Sequence, residues 1–211
     1  MSSINEYANR SENARAQIRM ALDVCKEKPE KNYKVLVFCN RKMICDALSE
    51  IFDESKYYSD APNKAEILKN WTSGLMVATG ALGAGVNVQR ILWVFHWGMP
   101  TGIIEFDQEG GRDGREGEIV RSVIMLSASE FKKQLKTESR YLEKNQAGMR
   151  EVVIELECRR KKISGFMDGE EHAHDCQSIN GEVCDRCGGI MSETERNIRG
   201  FIDPERVHQY E

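Results

Sequence analysis

Three segments of this chain are apolar almost without interruption: Lys34 to Cys39, Leu75 to Ala78 and Ile91 to His96. A strand with one wet face alternates apolar and polar residues, so a strand apolar throughout is buried on both faces. Such strands belong to a parallel sheet, and parallel strands must be joined by crossovers, most often helices. The intervening sequence supplies them. Apolar residues at helical spacing (Ile18, Leu22, Cys25) predict a helix from about Glu6 to Lys28, broken by Pro29. Met43 to Phe52 places Ile44, Leu48, Ile51 and Phe52 on one helical face, and Asn63 is a candidate N-cap for a helix through Trp71. A short strand is expected to begin at Tyr57-Tyr58, a helix to run from Gly102 to Gln108, and a fifth strand from Ser122 to Ser127. The expected fold is α/β, with right-handed βαβ units and helices on both faces of a mostly parallel sheet. From Ser129 to Glu157 the chain reads as charged and helical.

In open parallel sheets, ligands collect at the carboxyl ends of the strands. Three polar loops fall there: Cys39 to Lys42, Thr79 to Asn87 and His96 to Pro100. Beyond them runs Gln108-Glu109-Gly110-Gly111-Arg112-Asp113-Gly114-Arg115. Two arginines three residues apart, each preceded by glycine, suit a surface that meets phosphate. Guanidinium is a fixed fork of donors that stays charged, and glycine lets the backbone approach closely. A Gly-Lys-Ser/Thr phosphate cradle is absent, as is an acidic motif able to hold magnesium. This polypeptide alone is therefore not expected to turn over ATP.

The formal net charge is −4, so any contact with nucleic acid must come from a local patch. No apolar run approaches the ~20 residues that span a bilayer, and Met1 to Glu6 lacks the character of a secretory signal. No membrane association and an intracellular location are expected. Cys25, Cys39 and Cys45 sit among apolar neighbours and read as buried thiols. Cys158, Cys176, Cys184 and Cys187 differ, because Cys184-Asp185-Arg186-Cys187 followed by Gly188-Gly189 has the spacing of a structural zinc knuckle. His172 and His174 lie close enough in sequence to compete with Cys176 for the second ligand position. The basic run Arg159 to Lys162 is a candidate phosphate contact or a solvated face, and His96 and Trp97 are candidates for stacking on a base.

Taken in order, the strand end at Cys39 to Lys42, the Thr79 to Asn87 loop and the QxxGRxGR pattern at Gln108 to Arg115 resemble motifs IV, V and VI of superfamily-two helicases. The resemblance covers roughly residues 10 to 190 and is closest to the RecQ helicases, through Phe95-His96-Trp97-Gly98-Met99-Pro100 and the Cys158-Arg159-Arg160 start of a zinc-binding segment. It implies a RecA-like second motor lobe at residues 1–128, a small helical zinc-binding subdomain at 129–190 and an unassigned polar tail at 191–211. It implies that Arg115 is the arginine finger on the γ-phosphate of ATP, with Arg112 at the lobe interface and Gln108 near the nucleotide or strand. Gly111, Gly114 and Gly85 would let the backbone approach the nucleotide. Asn40, Arg41, Thr79 and Gly83 would contact the DNA backbone, on a single strand or at a duplex junction. Structural zinc on Cys158, Cys176, Cys184 and Cys187 is implied. ATP and magnesium would enter only with a complementary first lobe, which could be a separate chain. The implied activity is ATP-driven 3′→5′ DNA unwinding, in DNA repair and recombination within the nucleus. Two rivals stand beside it: a non-enzymatic binding remnant of a helicase lobe, and an RNA helicase lobe, which shares the arginines but not the cysteines.

Overall fold

The computed structural model describes residues 12–82, 88–110 and 120–188. Its five strands are β1 (Lys34–Cys39), β2 (Ser55–Tyr57), β3 (Gly74–Ala78), β4 (Ile91–Trp97) and β5 (Arg121–Met125). They form one sheet in the order β2-β3-β1-β4-β5, and every neighbouring pair is parallel. Helices α1 (Glu12–Lys26), α2 (Lys42–Phe52) and α3 (Lys64–Asn70) alternate with the early strands. Further along come α4 (Ile103–Gly110), α5 (Ala128–Lys136), α6 (Lys144–Ile154) and α7 (Arg159–Asp168).

Both faces of the sheet are buried, as the unbroken apolar strands require. Val35, Val37, Cys39, Leu75, Val77, Trp93, Phe95 and Trp97 face one way and pack with Ile18, Leu22 and Cys25 of α1 and Ile44, Cys45 and Leu48 of α2. Leu36, Phe38, Met76, Ala78 and Val94 face the other way, with Tyr57, Trp71 and Leu82, and Ile67 and Leu68 of α3 lie against them. Alternate residues of each strand thus feed two cores.

Element ends differ from the sequence reading for local reasons. β2 ends at Tyr57 instead of beginning there, because Asp53 takes a left-handed conformation (φ 54°) at the end of α2 and the chain turns directly into the strand. Asn63 precedes α3 but does not cap it with its side chain. Its backbone is left-handed (φ 56°), whereas side-chain capping needs extended backbone at that position. β5 stops at Met125, since Ser127 is taken by a capping box with Glu130 at the start of α5.

The chain divides into two compact units. The first holds the described residues up to Gly98 and those from Gly110 to Met125, including the whole sheet. The second holds Met99–Glu109 and the described residues from Leu126 onward. α4 belongs to this second unit because its own contacts are there: Asn145 of α6 accepts from the Ile104 amide at 3.0 Å and donates to Glu105 at 2.8 Å.

Candidate nucleic-acid edge and metal centre

At the carboxyl edge of the sheet, β1 and β3 lie side by side, with Phe38 opposite Ala78. The chain leaves β1 through Asn40 and Arg41, both exposed, and leaves β3 through half-buried Thr79. Arg41 is extended (φ −140°, ψ 138°), and its carbonyl accepts from the amides of Ile44 and Cys45, which starts α2. No side chain caps this helix, and no acidic residue lies in its first turn. The amide of Thr79 donates to the Tyr57 carbonyl, and its carbonyl accepts from Leu82, each at 3.0 Å, so the strand turns at once into its loop. The topology therefore gathers Asn40, Arg41 and Thr79 at the ends of adjacent strands. Gln108 is exposed in the last turn of α4. Gly83, Gly85, Gly111, Arg112, Gly114 and Arg115 lie outside the described residues.

His96 and Trp97 do not stack on a base. They are 2% and 4% exposed, the His96 ring stacks on Phe38 at 5.8 Å, and Trp97 is part of the core. The basic run also divides. Arg159 is tied to Asp185 by two bonds of 2.6 and 2.7 Å and donates to the Val152 carbonyl, and Lys162 pairs with Glu155 and lies 3.6 Å from Glu157. Only Arg160 and Lys161 of the four are exposed. Charges that sequence presents as one patch are half spent inside the fold.

In the second unit, the four late cysteines converge. Cys158 sits at the start of α7, Cys176 in the loop beyond it, and Cys184 and Cys187 in one turn closed by the Cys187 amide on the Cys184 carbonyl at 3.1 Å. Their sulfurs all lie within 4.8 Å of one another, with Cys158–Cys176 at 3.5 Å, Cys158–Cys184 at 3.8 Å and Cys184–Cys187 at 3.6 Å. These are not disulfides, whose sulfurs stand about 2.05 Å apart. Four thiolates around a zinc ion at about 2.3 Å would stand roughly 3.8 Å apart along the edges of a tetrahedron, so the donor set fits such an ion. The residues between Cys176 and Cys184 are absorbed in a turn, where Asp175 accepts from the Ser178 amide at 2.7 Å and the Gly181 amide returns to the Cys176 carbonyl at 2.9 Å. His172 and His174 are exposed and lie outside the group.

Burial would push the Cys158 thiol up, but the backbone amides of Lys161 and Cys176 and the neighbouring thiols bring it down to about 7. Burial and the adjacent thiols drive Cys187 up to about 12. Four thiols this close cannot all ionise without a cation among them, which is the electrostatic reason for a metal to bind there.

The sequence from residue 16 to residue 117 matches the family described as helicase conserved C-terminal domain. That match, just under half of the chain, supports a superfamily-two helicase C-terminal lobe in this segment. The lobe, together with residues beyond it, is similar to several curated proteins. A protein of Acanthamoeba polyphaga mimivirus named as an ATP-dependent RNA helicase is 28% identical over 181 residues, 75% of this chain and 31% of its own. A DEAD-box ATP-dependent RNA helicase of Oryza sativa is 32% identical over 93 residues, 40% of this chain and 12% of its own. A protein of Caenorhabditis briggsae named as an ATP-dependent DNA helicase Q1 is 24% identical over 169 residues, 72% of this chain and 26% of its own. The chain thus spans about a third or less of the length of these relatives. Among the described residues, no helix is long and apolar enough to cross a membrane.

Proposed function

We propose that the chain is the C-terminal part of a RecQ-like, ATP-dependent 3′→5′ DNA helicase. In this reading the lobe of residues 1–128 and a zinc-binding subdomain of residues 129–190 work together, and a first lobe supplies the nucleotide cradle. The observation that carries it is the four-cysteine group C-terminal to the helicase lobe, opened by Cys158-Arg159-Arg160 and closed by Cys184-Asp185-Arg186-Cys187. A generic helicase lobe has no need of four converging thiols. Similarity to the Caenorhabditis protein over 169 residues, longer than the lobe itself, supports the same reading.

Arg115 and Arg112 act on the phosphates of ATP held by the first lobe, with Gln108 beside them and Gly111, Gly114 and Gly85 allowing close approach. Arginine meets developing phosphoryl charge with a preorganised fork, a contribution of ~10³–10⁵ in rate where the rest of the site is present. Asn40, Arg41, Thr79 and the Gly83 turn hold the DNA backbone, contacts that track a strand without reading its sequence. Cys158, Cys176, Cys184 and Cys187 would hold a structural zinc ion, which would tie this segment together and leave the chemistry to the lobes.

The similarity to the mimivirus protein, over 181 residues, favours a second reading as an RNA helicase lobe. Elemental analysis of the purified chain, with Cys184→Ser alongside, tests the first reading. One zinc per chain, lost in the variant, is the expected result. Zinc-free, well-folded wild-type protein would sink the RecQ assignment. Tighter binding of single-stranded RNA than of DNA of the same sequence would move the assignment to the RNA reading.

A further inference from the structure

The strand-end edge also carries a charged pair to which the proposed function gives no role. Lys42 is the first residue of α2, next to Arg41. Its Nζ donates to Asp60 Oδ2 at 2.7 Å and stands 4.3 Å from the centre of the Tyr58 ring. Tyr58 and Asp60 lie just beyond β2, so the pair spans from the end of β1 to the end of β2 across the margin that holds Thr79. Both members are solvated, with Lys42 49% and Asp60 67% exposed. Lys64 comes to the same place, its Nζ donating to the Ser59 carbonyl at 2.9 Å. The bond from Lys42, supported by the charge of Lys64, holds the Asp60 carboxyl below its ordinary range.

This arrangement has more positive than negative groups. Lys42 and Lys64 both act on the Asp60 carboxylate, Arg41 precedes Lys42 in the chain, and the first turn of α2 has no side-chain cap, while Asp46, further along α2, also acts on Lys42 but is engaged by Lys56 at 2.7 Å. An ion pair this exposed contributes little and exchanges freely, so it is a poor structural tie. It is a good holding place for an ammonium group. The Tyr58 face fixes the lysine stem's direction by a cation–π contact, and the carboxylate occupies the position a phosphate oxygen would take.

We propose that Lys42 is a further phosphate-binding residue of this edge, held by Asp60 in the free protein and handed over to the backbone of a single-stranded nucleic acid. The proposal rests on the nucleic-acid reading of the same edge. Phosphate in place of carboxylate keeps the ammonium on the tyrosine face and adds the amides of the first helical turn as donors.

The test is binding of a labelled oligothymidylate to the full chain by fluorescence anisotropy across a salt series. Lys42→Ala is expected to weaken binding ~3–5-fold at low salt and to flatten the dependence of log K on log salt by about 0.7. Asp60→Asn, nearly isosteric, is expected to tighten binding by up to about threefold. Lys69→Ala, at the far end of α3, serves as the charge control and is expected to bind like wild type. Should Arg41→Ala weaken binding while Lys42→Ala and Asp60→Asn match wild type, the edge reading stands and the Lys42 proposal falls. Weaker binding by Asp60→Asn also overturns it, making Asp60 a structural residue. A wild-type chain with no salt-dependent binding overturns both. Inorganic phosphate at matched ionic strength distinguishes a strand from a lone anion: the oligonucleotide stays bound if the strand is the ligand, and its displacement overturns the proposal.

Discussion

Arg159 and Asp185 come from opposite ends of the cysteine-bearing segment, one beside Cys158 and the other between Cys184 and Cys187. They meet as a planar fork on a carboxylate, 15% and 26% exposed. Burial works against the Asp185 charge, and the Arg159 guanidinium outweighs it, holding the carboxyl below its ordinary range. Asp185→Asn would leave Arg159, and Arg186 beside it, without their counter-charge, at a cost of about 2 kcal/mol given the partial exposure. Thermal melting of the metal-loaded chain should register this as a lower midpoint. Arg159→Lys should not rescue the site, because an ammonium cannot make both bonds. Asp107 of α4 is the opposite case: burial first, then the charge of Asp168, pushes its carboxyl up. Its folded value lies above its unfolded one, so its contribution is present in acid and is lost as pH rises from the ordinary aspartate range through the raised value. Asp107→Asn should therefore be more stable than wild type at neutral pH and indistinguishable in acid, as denaturant melts at several pH values would reveal.

At the scale of elements, α4 depends on α6. Gly102 leads into it, and a Cβ there would overlap the Asn145 side-chain amide. The same amide group holds the Ile104 amide and Glu105. Asn145→Ala removes both bonds and should cost about 1–3 kcal/mol, with faster hydrogen exchange at Ile104 as the local readout. Gly148 plays the matching part on α6, where a Cβ would press on the Phe166 ring of α7 at 2.8 Å. Sequence spacing predicts α4 to within two residues at its end, but not that it packs with the second unit. Its periodicity reports an apolar face, and that face fits any apolar partner. The partner is chosen by a glycine and an asparagine some forty residues apart, neither of which stands out in the sequence.

For the whole molecule, the two units owe their stability to different physics. The sheet unit buries unbroken apolar strands on both faces. The segment around the four cysteines has little apolar mass of its own: Cys176 is buried, while Leu156, Met167 and Ile179 are exposed. If the four cysteines hold a metal as proposed, such a segment would depend on it. Chelation should unfold it while the sheet persists. Limited proteolysis should then cut between residues 158 and 187 and spare the strands; unchanged protease resistance after full metal removal would contradict the prediction. The net charge of −4 adds that no global field draws the chain to nucleic acid, so the proposed binding would rest on the strand-end edge and should fall steeply with salt.

The sequence by itself determined the parallel α/β sheet, its two-faced burial and the cysteine spacing. Each is a property of neighbouring residues: a strand apolar at every position has no wet face wherever it lies, and two cysteines three apart share a turn. The tertiary structure alone decided which polar groups remain available. Arg159 and Lys162 read as half of a basic patch until Asp185 and Glu155 engage them. His96 and Trp97 read as candidates for stacking on a base until the sheet closes over them, and Lys42 reads only as the end of a polar strand-end loop until Asp60 meets it. Charge and hydrogen-bonding capacity are spent on partners remote in sequence, and only folding brings those partners within reach.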